Sequence, residues 1–243
     1  MFYADTLDPN GDPSPDIRFP MSTEIEIHVR PIFPTPLLIF TLAQPEELNA
    51  ELAALILQRE AAIPAYSDCE VVGWSSPHDL SMLEWAGKPL RRLFEPVVHV
   101  AKQLTEYSER VAAGGCERPD WQVVEVWANV QRKGGSNASH PHPGSFWSGV
   151  YYVDVGDVGG HTDNGGQLQL YDPRGCLPRM LAPYLRYSMP ELHDAGRNIT
   201  FTPSSGQCVL FPGWLFHAVT TYTGKAPRIS VAFNLDPVLN GRK

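Results

Sequence analysis

Histidines 140, 142 and 217 are the side chains of this sequence best suited to bind a metal. His140 and His142 are separated by one proline, and side chains two apart on an extended segment point to the same side. Their imidazoles are therefore expected to converge on one point. His217, far along the chain, is the candidate for a third ligand from a distant strand. Three protein ligands that leave coordination positions open are typical of a catalytic metal site.

Arg228 is the second residue that suggests chemistry, because it lies in the apolar strand-like segment RISVAFN. A buried arginine needs an anionic partner, since an unpaired buried charge is costly. The sequence offers no obvious carboxylate beside it. A bound dicarboxylate would supply one through a two-pronged contact, and the hydroxyl of Ser230 is expected on the same face.

The half of the chain after Pro119 consists of short strand-like segments separated by Gly, Pro, Asp and Asn. Strands without intervening helices predict a sandwich or a barrel. The predicted strands are Gln122–Val130, Trp147–Val153, Gln167–Tyr171, Asn198–Thr202, Gln207–Phe211, His217–Tyr222 and Arg228–Asn234.

The first half predicts a helical buttress over about residues 45–115. Apolar residues recur at helical spacing over 45–62 and again over 89–112, where Gly114 and Gly115 are expected to stop the helix. Residues 1–22 are polar and rich in proline, and predict a flexible arm in which Met21 is a second candidate for the natural start. A short strand at 24–29 and an apolar run at 37–42 follow. We expect residues 23–243 to form one domain.

Composition narrows the functional classes. The formal net charge is −8 and no basic run occurs, which argues against a nucleic-acid partner. No apolar stretch approaches the roughly 18 residues of a membrane-spanning helix. Four scattered cysteines without a CxxC motif favour reduced thiols and a cytoplasmic location. The expected partner is a small-molecule substrate, and the sequence leaves the oligomeric state open.

Taken together, four segments resemble the 2-oxoglutarate/Fe(II) oxygenase family. They are HPHPGSFWSGVYYV, GGQLQLYDPR, GQCVLFPGWLFHAV and PRISVAFN, and PIFPTPL and GWSS nearer the start fit as well. The resemblance spans residues 31–236 discontinuously. It implies a mainly β fold, with a double-stranded β-helix (jelly-roll) core over about 120–236 and the N-terminal helices packed on one sheet.

The resemblance also implies an enzyme that uses Fe(II), 2-oxoglutarate and O2. Such a dioxygenase would hydroxylate a small molecule or amino-acid-like substrate and release succinate and CO2. Tyr152 is either a ligand of the co-substrate carboxylate or a packed core tyrosine, and Asn129 either reaches the metal-proximal end or is a structural amide. The implied metal ligands are His140, His142 and His217, and the implied co-substrate residues are Arg228, Ser230, Tyr152 and Asn129.

The metal motif departs from the wider superfamily, which normally has HxD or HxE where this chain has His140-Pro141-His142. Three neutral imidazoles leave the +2 charge of the metal uncompensated by protein, so the co-substrate would have to balance it. A competing HxD motif does exist at His161 and Asp163. It lies in a glycine-bracketed segment that predicts a turn between two strands, and we favour the first pair.

A cupin-type iron dioxygenase with three histidines, independent of 2-oxoglutarate, is the alternative. The spacing from Gly134 to the histidine pair and from Gly206 to His217 resembles the two cupin motifs. The glutamate expected after the histidine pair is missing, and Arg228 has no role there. A catalytically silent jelly-roll binding module is a third possibility. The expected walls of the substrate pocket are Trp74, Ser75, Trp147, Asp172 and Arg174.

Overall fold

A computed structural model describes residues 33–66, 71–109, 118–159, 163–188 and 195–238. The predicted arm at 1–22 and the predicted strand at 24–29 lie outside these residues. Within the described part, none of the helices is long and apolar enough to cross a membrane.

The described residues form two antiparallel sheets. The strands are β1 (Leu38–Thr41), β2 (Val71–Val72), β3 (Trp74–Ser75), β4 (Asp120–Gln131), β5 (Ser136–His140), β6 (Trp147–Asp154), β7 (Leu168–Leu170), β8 (Ile199–Phe201), β9 (Gln207–Pro212), β10 (His217–Val219) and β11 (Arg228–Val238). The larger sheet has the order β1-β9-β6-β11-β4-β3, and the smaller one has the order β2-β5-β10-β7-β8. The predicted strands of the second half are all present.

The helices pack on the outer face of the larger sheet. Helix α1 spans Glu46–Ala62, α2 spans Met82–Trp85 and α3 spans Gly87–Leu104, and a 3-10 turn spans Leu177–Arg179. The buried residues of α1 and α3 share one hydrophobic core with this sheet. This arrangement confirms the predicted mainly β jelly roll with N-terminal helices on one sheet.

One predicted boundary is wrong. The second helix ends at Leu104 instead of near residue 112, and Thr105 is already extended, with φ −128° and ψ 137°. Its last buried residue is Ala101, so the apolar face that stabilises the helix ends there. Trp74–Ser75, within the GWSS segment, forms a buried strand that pairs with β4.

Alternation along β11 divides the sheet into an outer and an inner face. Ile229, Val231 and Phe233 belong to the core beneath the helices. Arg228 and Ser230 point the other way, into the space between the two sheets, where they line a cavity. The predicted period-2 pattern therefore places the chemically active residues on the inner face.

The ladder register aligns these inner residues across three strands. Ser230 of β11 is opposite Asn129 of β4 on one side and opposite Tyr152 of β6 on the other. Arg228 is opposite Gln131 at the end of β4. The candidate co-substrate residues are therefore neighbours through strand pairing alone.

Candidate metal centre and its cavity

His140, His142 and His217 form one cluster. Each ring offers one nitrogen, and these three atoms lie within 4.8 Å of one another. The ring centroids are 5.0 Å apart for His140 and His142, 4.5 Å for His140 and His217, and 5.1 Å for His142 and His217. The structure thus brings together the three histidines that the sequence predicted.

Strand pairing and one backbone contact position these rings. His140 ends β5 and is the register partner of His217, which begins β10. The backbone N–H of His142 donates to the carbonyl of Gly213 at 2.7 Å. A Cβ on Gly213 would lie 2.2 Å from the carbonyl oxygen of Ser145, so only glycine permits the two metal-bearing loops to approach this closely.

Backbone carbonyls orient two of the three rings. The Nδ1 atom of His140 is 2.7 Å from the carbonyl oxygen of Ala138, and the Nδ1 atom of His217 is 3.0 Å from that of Leu215. In each case the hydrogen bond assigns the proton to Nδ1 and the lone pair to Nε2. Hydrogen bonds of this kind fix the tautomer and the orientation of metal-binding histidines.

Burial and the neighbouring rings keep two of the histidines neutral. Burial, followed by the neighbouring imidazoles of His217 and His140, lowers the pKa of His142 from 6.5 to about 3. Burial, followed by His140, lowers the pKa of His217 from 6.5 to about 4, although its hydrogen bond to Leu215 opposes this shift. Both rings are therefore unprotonated at neutral pH, as metal binding requires.

The side chain of Trp127 packs against the ring of His142. Its ring centroid is 5.4 Å from that of His142 and 4.3 Å from that of His78, which stacks on it. The Nε2 atom of His78 is 3.1 Å from the hydroxyl oxygen of Ser75. His78 thus packs against the tryptophan that contacts His142.

Arg228 lies in the same cavity and is 2% exposed. Its Nε donates to the carbonyl of Gly166 at 3.0 Å, and its Nη1 donates to Oε1 of Gln131 at 3.0 Å and to the hydroxyl of Ser230 at 3.4 Å. All of these acceptors are neutral. Among the described residues no carboxylate forms an ion pair with this guanidinium, so the predicted uncompensated cation is present.

Burial lowers the pKa of Arg228, while the nearby Tyr152 opposes the shift. An arginine nevertheless keeps its proton in proteins. Its guanidinium carbon lies 5.3 Å from the centroid of the Tyr152 ring. The cation is thus held by neutral hydrogen-bond acceptors and an aromatic face.

Two buried polar atoms in this cavity lack a partner among the described residues. They are the hydroxyl of Tyr152 and Oδ1 of Asn129. Burial also raises the pKa of the Tyr152 hydroxyl, which keeps its proton and remains a hydrogen-bond donor. A buried polar group without a partner is costly, so these atoms are suited to meet a ligand. An acceptor such as a carboxylate would satisfy the tyrosine and the arginine together.

Sequence reasoning missed Gln131, which accepts a hydrogen bond from Arg228. It lies two positions after Asn129 on β4, so the period-2 rule applied to Asn129 would have found it. Trp127, two positions before Asn129 and on the same face, lines the cavity. The cavity is lined by Trp127, the three histidines and the co-substrate candidates, together with Asn137, Ser148, Gly149, Val150, Leu168, Phe211, Val219 and Ala232.

The predicted pocket walls lie elsewhere. Trp74 and Trp147 belong to the core beneath the helices, because their strands turn these side chains to the outer face. Asp172 and Arg174 bind each other at 2.8 Å, and Asp172 also accepts from the backbone N–H of Gly196. This pair stabilises a turn and does not line the cavity. Ser75 contributes only through its contact with His78.

Of the competing HxD motif, Asp163 is described and His161 is not. The carboxylate of Asp163 is exposed and accepts hydrogen bonds from the backbone N–H of Gly165 and from Nε2 of Gln167. These bonds lower its pKa. Asp163 is not part of the histidine cluster.

Two antiparallel sheets enclose three converging imidazoles and a buried cation, which is a double-stranded β-helix with a candidate metal site between its sheets. Residues 125–234, which carry all of these groups, match the model of the family described as "Putative 2OG-Fe(II) oxygenase". This match confirms the resemblance drawn from the sequence. The family that this model describes depends on Fe(II) and 2-oxoglutarate, so the matched segment resembles an Fe(II)- and 2-oxoglutarate-dependent oxygenase.

Solved structures of low sequence identity share the fold. A Pseudomonas putida prolyl-4-hydroxylase superposes with a TM-score of 0.52 at 16% identity, covering 82% of this chain and 92% of that one. The non-haem α-ketoglutarate-dependent epimerase SnoN gives 0.54 at 15%, covering 83% and 78%. HygX from Streptomyces hygroscopicus, with nickel and 2-oxoglutarate bound, gives 0.51 at 11%, covering 84% of each chain. No curated protein matches the sequence.

Proposed function

We propose that His140, His142 and His217 hold the iron and that Arg228 and Ser230 bind the distal carboxylate of 2-oxoglutarate. Bound Fe(II) and 2-oxoglutarate together supply the oxidising chemistry, in which O2 is consumed, 2-oxoglutarate is converted to succinate and CO2, and a C–H bond of the substrate is hydroxylated. The residues of the chain place these groups and exclude water.

The observation that carries this proposal is the buried guanidinium of Arg228 in the cavity of the three histidines, with only neutral partners among the described residues. A dicarboxylate bound at one end by a metal would reach it with the other. The unpartnered hydroxyl of Tyr152 is placed to donate to the same carboxylate. Charge-assisted hydrogen bonds of this kind are strong in a dry pocket.

Asn129 belongs to the co-substrate pocket in this proposal. It is the register partner of Ser230, and its Oδ1 atom is buried without a partner among the described residues. Because rotation of the amide exchanges its oxygen and nitrogen, Asn129 can present an acceptor or a donor. It would therefore satisfy a polar atom of the co-substrate between the histidines and Arg228.

The charge of the three-histidine site favours a firmly held co-substrate. The imidazoles of His142 and His217 are neutral, and no carboxylate of the described residues joins the cluster. The two negative charges of 2-oxoglutarate would offset most of the combined +3 charge of the metal and Arg228. We expect iron and 2-oxoglutarate to stabilise each other in the site.

The substrate that we propose is a small molecule or an amino-acid-like compound. The similar structures include a prolyl-4-hydroxylase and an epimerase from nogalamycin biosynthesis. Ser148 and Phe211 line the cavity on the inner face of the larger sheet, together with the histidines, and we expect the substrate to bind on this side.

The test is the formation of succinate by the full chain incubated with Fe(II), O2 and 2-oxoglutarate. We expect succinate in amounts that match the 2-oxoglutarate consumed, and none without iron. The Arg228→Ala variant should lose this activity at low 2-oxoglutarate concentration. Oxygen consumption without succinate would contradict the proposal and favour the cupin-type dioxygenase instead.

A further inference from the structure

The inner face of the larger sheet is ordered in rows from one end of the cavity to the other. Asn129, Ser230 and Tyr152 form one row, and Arg228 with Gln131 forms the next, at the co-substrate end. Each step of two residues along a strand covers about 6.6 Å. Each successive row therefore lies about 6.6 Å further from the co-substrate end of the cavity.

The row at the opposite end contains Glu125 of β4, Asn234 of β11, Ser148 of β6 and Phe211 of β9, which are register partners on adjacent strands. The ring of Phe211 is 4.6 Å from that of His217. Asn234 lies six residues from Arg228 along β11, or about 20 Å. A diacid that binds Arg228 and the histidines does not extend to this row.

Three side chains of this row form a hydrogen-bonded relay. Nδ2 of Asn234 donates to Oε2 of Glu125 at 2.7 Å, and the hydroxyl of Ser148 donates to Oδ1 of Asn234 at 2.7 Å. Ser148 is 1% exposed and lines the cavity, and Asn234 is also 1% exposed. Glu125 is half-buried at the outer end of the relay.

The relay fixes the polarity of Ser148. A carboxylate only accepts hydrogen bonds, so Asn234 must direct its NH2 group to Glu125 and its oxygen to Ser148. The one hydroxyl proton of Ser148 is then committed to Asn234. Towards the cavity, Ser148 can only accept a hydrogen bond.

The negative charge of Glu125 adds an electrostatic preference for a positively charged hydrogen-bond donor. Its carboxylate has no cationic partner among the described residues, and its hydrogen bond there comes from a neutral amide. The register skips Val124 between the partners of Asn234 and Leu235, and a bulge of this kind commonly re-aims a side chain beside an active site. The cavity therefore has a fixed cation at the Arg228 end and an anion behind the opposite wall.

We propose that Ser148, backed by Asn234 and Glu125, is the substrate-binding group of this enzyme and that it receives a protonated amine of the substrate. This inference rests on the proposed function, because it uses the co-substrate to fill the Arg228 end. An ammonium group is a hydrogen-bond donor and carries the charge that Glu125 favours. A substrate carboxylate or carbonyl would meet an acceptor at Ser148 and is disfavoured.

The test uses the full chain loaded with Ni(II), which holds the site without turnover, and with 2-oxoglutarate. The probes are a panel of primary amines and free amino acids, each compared with its N-acetyl derivative, which has the same skeleton without the charge. Binding is measured by calorimetry and by the rise of Tm. We expect at least one amine to bind about 10-fold or more tightly than its N-acetyl derivative.

Glu125→Gln is the decisive variant, because it keeps an acceptor for Asn234 and removes the charge. We expect it to reduce the preference for the amine to about 3-fold or less, and Ser148→Ala to weaken binding of the same amine. Glu51→Gln on the outer helix changes the net charge equally and should preserve the preference.

The affinity for 2-oxoglutarate, titrated first in the same samples, separates the two proposals. Failure of 2-oxoglutarate to bind contradicts the proposed function. With 2-oxoglutarate bound, the inference is overturned if no amine of the panel binds, if the N-acetyl derivatives bind equally well, or if Glu125→Gln keeps the full preference.

Discussion

His140 and His217 are register partners across the β5–β10 ladder, and their ring centroids are 4.5 Å apart. Residues on the same face of paired strands are held close by the backbone hydrogen bonds, so this pair needs no further contact to remain together. His142 joins them from the loop that leaves β5. The rigidity of the histidine site therefore depends on the smaller sheet, whose short strands β5 and β10 carry two of the three ligands.

The first prediction concerns the metal ligands. His217→Ala should reduce bound iron to a trace, because two imidazoles cannot replace a three-sided site. Metal content after dialysis, measured by mass spectrometry, checks this. His161→Ala is the matched control and should retain its iron. Loss of iron from the control, with iron retained in His217→Ala, would place the metal at the competing HxD motif.

The second prediction concerns the buried cation. Arg228→Ala should raise the KM for 2-oxoglutarate about 100-fold or more, because the carboxylate would lose a desolvated charge partner. Iron content should stay the same, since Arg228 does not touch the histidines. Ser230→Ala removes only a hydroxyl group and no charge, so it should raise the KM for 2-oxoglutarate by a smaller factor. An unchanged KM in both variants would refute the co-substrate assignment.

A third prediction uses Gln131, whose Oε1 accepts from Nη1 of Arg228. Gln131→Glu has nearly the same shape but supplies a carboxylate, which would neutralise the guanidinium from within the protein. We expect the affinity for 2-oxoglutarate to fall about 10-fold or more. Gln122→Glu, an exposed position on the same strand, makes the same charge change and should leave that affinity as it is.

The fourth prediction is a pH dependence of the metal-free protein. The pKa of His217 is about 4 in the folded state, and an unfolded histidine has a pKa near 6.5. Between these values the unfolded chain binds more protons, so the free energy of unfolding falls as the pH falls. We expect His217 to account for about 2 kcal/mol between pH 7 and pH 5.

Urea denaturation of the metal-free protein at both pH values measures this effect. His217→Gln should show a shallower dependence, because it removes the group that resists protonation. His99→Gln, on the helical layer, controls for the loss of a histidine elsewhere. An equal slope in the wild type and in His217→Gln would mean that the ring is not held neutral by burial.

Sequence patterns predicted the inner face of β11 and the histidine pair because both follow from period-2 alternation, a local rule. They did not predict the end of α3 at Leu104, because that depends on where the sheet beneath it stops offering apolar surface. The prediction that Trp74 and Trp147 line the pocket was wrong for a related reason. Which face of the sheet each side chain occupies depends on how its strand pairs with its neighbours.

The relay of Glu125, Asn234 and Ser148 illustrates the same limit. Its members are far apart in the sequence, and their spacing does not indicate that they meet. Only the register of three neighbouring strands brings them into one row. By contrast, the sequence alone indicated that Arg228 needs an anionic partner. An arginine in an apolar strand is expected to be buried, whichever strands lie beside it, and a buried charge needs a partner.

The most direct measurement is a crystal structure of the protein with Fe(II) and 2-oxoglutarate, grown without oxygen, with anomalous data at the iron edge. We predict one iron peak about 2.1 Å from a nitrogen of each of His140, His142 and His217, by analogy with metal–imidazole distances in proteins. We also predict the distal carboxylate of 2-oxoglutarate against Arg228. Iron bound elsewhere, or a guanidinium without the diacid, would contradict the account.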